Sequence, residues 1–353
     1  MKKVVLVSNK LYEYRYQLYK SFHIHFNKID IDFSVLATSL GGVKLDTDDE
    51  LLIEELGSNI FNLKQKLDQI EPDLVINFLH PTNKEIWLLY AYCSLNRIPN
   101  IYWNHGINLQ DPNNLLKNSF YHLLHKLSDA IILYSKNELK YIKLKYHSKT
   151  FVANNTINLD LIPKVKKSKD EIKNKLNLNF EKIVLFVGRV QDRKRLLDLI
   201  HIFKDNDFSN YGLVIVGPGF SEDYQTLIRD INNIKYLGTI YDPEKVNEIF
   251  KMSDIFCIPG TNGLGINQAM YWGLPCLALD VKHSPEITYL KQGVTGFIEP
   301  NTDALTKRLL SLLGNDSLLN EFSSNAKKVI REEASVEIMF EGFNKAIQHA
   351  LLK

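Results

Sequence analysis

At 353 residues, 45% hydrophobic and 24% charged, the chain has the composition of a folded protein of about two ordinary domains and not of a disordered one. A formal net charge of only +2 excludes binding to nucleic acid through overall charge, so any basic site must be local. The cysteines Cys93, Cys257 and Cys276 are scattered with no CxxC pair, which excludes a disulfide framework and a structural zinc site and points to the reduced cytoplasm.

In chain order, the opening MKKVVLVSNK carries too short an apolar run for a secretory signal. No window approaches the roughly 18 uninterrupted apolar residues of a membrane span. Residues 4–7 read as a buried first strand, 11–26 as an amphipathic helix and 31–37 as a second strand. A strand at 73–78, a helix at 83–96 with Thr82 as its cap, and a strand at 101–103 follow. This last strand runs into Trp103-Asn104-His105-Gly106. Strands at 130–134 and 150–153 complete the first half. Residues 113–150 hold seven lysines (117, 126, 136, 140, 143, 145 and 149) against Asp129 and Glu138, a local excess of 7 − 2 = 5, interleaved with tyrosines and leucines. Such a face suits solvent or an anionic lipid surface equally well.

A lysine-rich stretch at 163–179 reads as the bridge between two halves. The alternation then restarts, with strands at 183–187, 213–216, 235–237, 255–258 and 276–279. Short apolar runs alternating with helical patterns imply βαβ units and parallel sheets, hence an α/β fold of two open domains separated near 165.

In open parallel sheets, ligands bind beyond the carboxyl ends of the strands. The unusual residues of the second half fall there. After IVLFV come Gly188 and Arg189, then Lys194 at a helix entry. The glycine admits a ligand close to the backbone, the arginine offers a fork of donors, and the lysine offers a compact charge for phosphate oxygens. A solvated helix start is the alternative, although cations there oppose the macrodipole unless an anion neutralises them. LVIV leads to Gly217-Pro218-Gly219, which suits a turn beside a ligand but is common in turns of every kind. There is no GxGxxG and no Walker sequence, so dinucleotide and P-loop readings lack support. Residues 259–265, PGTNGLG, empty into a helix at 266–272, and the free amides of such a helix start form an anion cradle. A second strand-end turn, Lys282-His283-Ser284-Pro285-Glu286, follows the next strand. His105 also ends a strand, where it either packs with Trp103 or serves a substrate through hydrogen bonding or proton movement; the second account is favoured. Asp46-Thr47-Asp48 has the Asp-x-Asp form of a metal site, but it lies in a polar run away from strand ends and reads as a surface loop. No metal is expected.

The series FVGRVQDRKR, LVIVGPG, YLGTI, SDIFCIPG, GLGINQAMYWGLPCLA and QGVTGFIEP, in that order, resembles the retaining GT-B glycosyltransferases of family four. The resemblance is specific over residues 183–300 and looser in the first half. It implies two Rossmann-like parallel-sheet domains facing a cleft: an acceptor-binding one over 1–165 and a nucleotide-sugar-binding one over 166–335, with a last helix (336–353) crossing back to the first. It implies transfer from a nucleotide sugar to a glycan or lipid-linked acceptor, with retention and without metal or other cofactor. The family's commonest setting is capsule or lipopolysaccharide synthesis, in the cytoplasm or at the inner face of the plasma membrane, where residues 113–150 would dock.

By that resemblance Arg189 and Lys194 match the pair that holds the donor diphosphate, and Gly263, Leu264, Gly265 and Ile266 match the backbone cradle. Gly188, Gly217 and Gly238 stand in the donor loops. Gln268 stands where the family carries the second glutamate of its two-glutamate motif, which binds the ribose; glutamine still accepts through its carbonyl oxygen but carries no charge. Eight positions earlier, in the place of the first glutamate, stands Gly260. A short gap would put Asn262 there instead, and Glu286 is the reserve carboxylate near the donor sugar, its plain alternative being a helix-start acid. The resemblance places His105 at the cleft and Tyr14 and Arg15 on the acceptor side, Arg15 reading also as a solvated helix charge. His105, Arg189, Lys194 and Glu286 are thus the catalytic candidates. Because both glutamates depart from the pattern, two rivals stay open: a non-catalytic sugar-nucleotide or glycan-binding subunit, and a nucleotide-sugar epimerase of GT-B type.

Overall fold

The computed structural model describes residues 1–46, 50–57, 60–109 and 111–352. The chain divides into two compact units, Met1–Asn158 with Val336–Lys353, and Leu159–Ser335. The crossing lies at 158, not at 165, because the segment that follows is held by the second unit. Lys251 Nζ donates to the Val165 carbonyl at 2.9 Å, and Lys167 pairs with Glu248. Nor is the lysine-rich bridge bare linker. Ser168 and Glu171 close a reciprocal capping box that starts a helix within it.

The first unit comprises β1 (Lys2–Ser8), α1 (Glu13–Asn27), β2 (Ile31–Ala37), β3 (Ile53–Glu55), α2 (Ile60–Ile70), β4 (Leu74–Phe78), α3 (Lys84–Asn96), β5 (Asn100–Trp103), α4 (Leu115–Leu127), β6 (Ala130–Leu133) and β7 (Thr150–Val152). Its sheet runs β3-β2-β1-β4-β5-β6-β7, with every pair parallel. Val4, Val5, Leu6 and Val7 are all fully buried, a continuous apolar run rather than an alternating one, as a parallel strand covered on both faces requires. At the start of α3, Asn83 and not Thr82 occupies the cap position. The Thr82 hydroxyl is spent one residue too early, on His80 Nδ1 at 2.7 Å.

The second unit comprises α5 (Lys169–Lys175), β8 (Lys182–Val187), α6 (Leu196–Asp205), β9 (Tyr211–Val216), α7 (Glu222–Ile228), β10 (Ile234–Tyr236), α8 (Pro243–Met252), β11 (Ile255–Cys257), α9 (Gly265–Tyr271), β12 (Cys276–Leu279), β13 (Gly296–Glu299), α10 (Thr302–Leu313) and α11 (Asp316–Glu333). Its parallel sheet runs β10-β9-β8-β11-β12-β13. Strand order reverses between β8 and β11, so the loops beyond their carboxyl ends flank the crevice where an open α/β sheet takes its ligand.

The chain then returns to the first unit as α12 (Val336–Leu351). There Phe343 meets Trp103 edge-on with centroids 4.8 Å apart and meets Phe22 at 4.9 Å. Val336, Met339, Phe343 and Ile347 are all buried. Each such side chain contributes about 1.5–3 kcal/mol relative to exposure.

Candidate active site

In the second unit, three loops at the carboxyl edge are laced together. Gly188 donates to the Val216 carbonyl (2.9 Å), Val190 to Pro218 (2.8 Å) and Gly217 to Gly238 (3.0 Å), which joins the ends of β8, β9 and β10. Gly217 has φ +139°, and a Cβ there would stand 2.2 Å from the Gly188 carbonyl oxygen. Only glycine permits that approach. Across the reversal point, Gly260 donates to the Lys194 carbonyl (3.0 Å) and Thr261 to that of Arg193 (2.8 Å). The loops bearing Arg189, Lys194 and the glycine-rich run are therefore one hydrogen-bonded assembly. Within that run the amides of Gly263, Leu264 and Gly265 donate to no backbone carbonyl among the described residues; the first bond of the α9 turn is Ile266 to Gly263 at 3.0 Å.

Arg189 is exposed and, among the described residues, forms no ion pair. Lys194 is half-buried; burial, reinforced by the charge of Arg193, pushes its pKa down to about 8, with Glu286 pulling the other way. Glu286 is 3% exposed and is thus the carboxylate whose field reaches Lys194. The structure brings these two candidates together.

It also removes one position from consideration for the first glutamate. A Cβ at Gly260 would stand 2.1 Å from the Arg193 carbonyl oxygen, so no glutamate fits. Asn262 is 2% exposed and serves as a brace. Its side-chain amide donates to the carbonyls of Ile258 (2.9 Å) and Gly260 (3.1 Å), and its backbone amide donates to His283 Nδ1 (3.2 Å). His283 returns Nε2–H to the Leu279 carbonyl (2.9 Å). Burial lowers the histidine pKa, which suits a neutral ring with one donor and one acceptor nitrogen.

Gln268 is half-buried on α9 and donates Nε2–H to Asn247 Oδ1 (3.0 Å), which also accepts from Trp272 Nε1 (2.7 Å). Asn247 in turn donates to the Pro243 carbonyl at 2.8 Å. Both amides are thereby oriented, and Gln268 Oε1 is left as an acceptor. Asn247, on α8, was not found in the sequence: its partner lies two elements away.

In the first unit the carboxyl ends of β1, β4, β5 and β6 gather Arg15, Phe78, Trp103, His105 and Tyr134. Arg15 is not a solvated helix charge. It is 6% exposed, and its guanidinium carbon lies 4.6 Å from the Trp103 centroid, 5.2 Å from Phe78, 5.3 Å from Tyr14 and 5.7 Å from Tyr134. Burial works against its charge, yet Tyr134, Tyr14 and Tyr19 hold its proton more tightly than usual. Such a cage stabilises a cation by its ring faces. Tyr14 reaches the surface at 37% exposure. His105 is half-exposed and bonds through Nδ1 to Glu138 Oε1 at 2.7 Å. Sequence reasoning counted Glu138 only as a charge within the lysine-rich segment.

Asp46 pairs with Lys20 at 2.8 Å; Thr47 and Asp48 lie outside the described residues. Among those described, no group of three or more histidine, cysteine, aspartate or glutamate side chains could hold a metal ion.

On α4, Asn118, Tyr121, Leu124 and His125 face the core. Leu116, Phe120, Leu123 and Leu127 form a second apolar stripe that is 80%, 50%, 42% and 45% exposed. Lys117 and Lys126 on the same helix, and Lys136, Lys140, Lys143 and Lys145 in the segment after β6, are all exposed.

Residues 168–329 match the sequence model of the family described as glycosyl transferases group 1. A curated relative, a poly(ribitol-phosphate) alpha-N-acetylglucosaminyltransferase from Staphylococcus aureus (strain COL), is 26% identical over 254 residues. That match covers 68% of this chain, and the chain spans about half, 48%, of the relative's length. Among solved structures, HepE of Anabaena in complex with UDP superposes with a TM-score of 0.78 at 16% identity, over 99% of this chain and 100% of that one. A glycosyltransferase from Rickettsia africae gives 0.76 at 16% identity, over 100% and 99%. At such identities the likeness shows the fold, two Rossmann-like units of GT-B type.

Proposed function

We propose that this chain transfers a sugar from a nucleotide-sugar donor to a glycan or lipid-linked acceptor, a reading supported by the match of residues 168–329 to the glycosyl transferases group 1 model. One observation carries the reading. The loops that carry Arg189, Lys194 and the amides of Gly263, Leu264 and Gly265 are joined by backbone hydrogen bonds at the reversal point of the second sheet, and neither cation has a carboxylate within ion-pair distance among the described residues. A nucleoside diphosphate is the group that such donors fit: charge-assisted bonds from the two cations and backbone amides aimed at its oxygens.

The same groups stabilise the diphosphate as it leaves. They meet charge that develops as the glycosidic bond breaks, and they supply positive charge where other enzymes use a metal. Transfer is therefore metal-independent in this reading and proceeds with retention, the acceptor hydroxyl attacking from the leaving-group face. Glu286 lies by the donor sugar and holds the Lys194 charge in place; Gln268 Oε1 accepts from the ribose. His105 and Tyr14 serve the acceptor side. UDP occurs in the HepE structure, which makes uridine nucleotides the first to try.

The setting proposed is surface-polysaccharide synthesis at the cytoplasmic face of the membrane. Among the described residues no helix is long and apolar enough to cross a bilayer, and the exposed α4 stripe, with exposed lysines before and after it in the chain, gives a means to lie on one.

The test is a thermal-shift panel of nucleoside diphosphates and nucleotide sugars with a chelator present, followed by product analysis with glycan acceptors. Stabilisation by one base class, unchanged by chelator, is expected. Equal binding by Arg189→Ala would refute the site, and donor binding without turnover on any acceptor would favour the binding-subunit rival.

A further inference from the structure

The segment after β6 opens with a capping box: Ser135 stands at the cap of the 3-10 turn Lys136–Tyr141 and Glu138 at its third position. Capping uses one carboxylate oxygen. Oε2 of Glu138 accepts from the Ser135 amide (3.2 Å) and from the Tyr134 amide (2.8 Å). Oε1 is surplus to the cap, and it meets His105 Nδ1 at 2.7 Å. The carboxylate is buried, with 5% side-chain exposure against 38% for the imidazole. The ring is further fixed against Tyr134, with centroids 4.4 Å apart at 32°.

A carboxylate only accepts, so the proton of the neutral imidazole must sit on Nδ1. Nε2 is then a bare acceptor, at the carboxyl end of β5 where an open parallel sheet takes its ligand. Resting on the transferase reading above, we propose that Glu138 is a positioning residue. It holds His105 as the Nδ1–H tautomer, so that Nε2 accepts a hydrogen bond from a hydroxyl of the sugar substrate.

Glu138→Gln separates this role from capping. Glutamine serves a capping box as well as glutamate does. With its oxygen on the two backbone amides, its NH2 group faces Nδ1 and drives the imidazole proton to Nε2. Two-bond 15N–1H correlation spectra of the full unliganded chain in alkaline buffer should show the Nδ1–H tautomer in the parent and the Nε2–H tautomer in the variant. Sugar transfer by the variant should fall at least about tenfold in kcat, with KM for the donor nearly unchanged and the thermal midpoint close to the parent's. The same tautomer in both proteins, or a tautomer swap with unchanged kcat, would overturn the proposal. A swap in a chain whose parent transfers no sugar would uphold the Glu138–His105 coupling and overturn the transferase reading instead. Should Glu138→Gln not fold, Glu138→Asp supplies the same comparison. Its shorter side chain still reaches the backbone amides but not Nδ1, and loss of the fixed tautomer is expected.

Discussion

Lys194 loses its charge at an unusually low pH for a lysine, and this has two opposite consequences. Its pKa is pushed down to about 8 by burial first and by Arg193 second. Between that value and the ordinary 10.5 the unfolded chain holds the proton that the folded chain has released, so the Lys194 contribution to stability rises with pH over that window. Binding of a diphosphate at the proposed site would run the other way, because it needs the ammonium. Affinity for the preferred nucleoside diphosphate should weaken as pH rises through about 8, measured by calorimetry at constant ionic strength. Lys194→Arg should flatten that dependence, since a guanidinium keeps its proton throughout. Gln268 gives a second residue-scale expectation. Glutamate there would set a carboxylate oxygen against Asn247 Oδ1, which Trp272 Nε1 and the Pro243 carbonyl keep from turning. Gln268→Glu should lower stability by roughly 1–3 kcal/mol, read by denaturant titration, without improving nucleotide affinity. Arg189 and the glycines stand out in the sequence because they follow closely on apolar runs, and Lys194 because it lies just ahead of a helix. Asn247 and the Arg15 cage do not: both depend on neighbours that only tertiary packing delivers, and a helix-start arginine looks alike in either state.

Helices and loops carry information of a different kind. The lacing at Gly260 makes one loop the template of the next. Gly260→Ala, with its Cβ 2.1 Å from a carbonyl oxygen, should cost about 1–3 kcal/mol in overpacking and weaken nucleotide binding by displacing Lys194. Thermal midpoint and calorimetric affinity report the two effects. On α4, apolar residues occupy both faces, so its periodicity alone does not say which face is inside. Leu116→Glu with Phe120→Glu changes only exposed positions. It should leave the thermal midpoint near the parent's and lower sedimentation with anionic phosphatidylglycerol vesicles at least several-fold, because two apolar side chains leave the docking face and two negative charges join it. The strands were read well because parallel strands buried on both faces are unbroken apolar runs. β3 and β13 escaped notice: β3 (IEE) is too short and charged to signal, and β13 begins at a glycine. The cap of α3 slipped by one residue because threonine and asparagine are both good caps and only the backbone turn decides between them.

At the scale of the molecule, the α/β class was legible from the alternation of elements, whereas the crossing at 158 was not. The lysine-rich run that marks a bridge by composition is captured by Glu248 and the Val165 contact. The small net charge conceals local contrast, since six exposed lysines fall between residues 117 and 145. The match to the glycosyl transferases group 1 model lies within the second unit, so it bears on the proposed donor side more than on the proposed acceptor side.

The return of α12 to the first sheet sets an order of assembly. A ribosome delivers residues 159–335 whole before it makes the segment that roofs Trp103 and Phe22. The later-numbered sheet can therefore mature while the earlier one still shows its aromatic floor, the reverse of the usual vectorial sequence in which the leading domain finishes first. A chain truncated after residue 335 should resist protease across the second unit and remain cleavable in the first. Restoring the 16 residues of α12 should remove that difference.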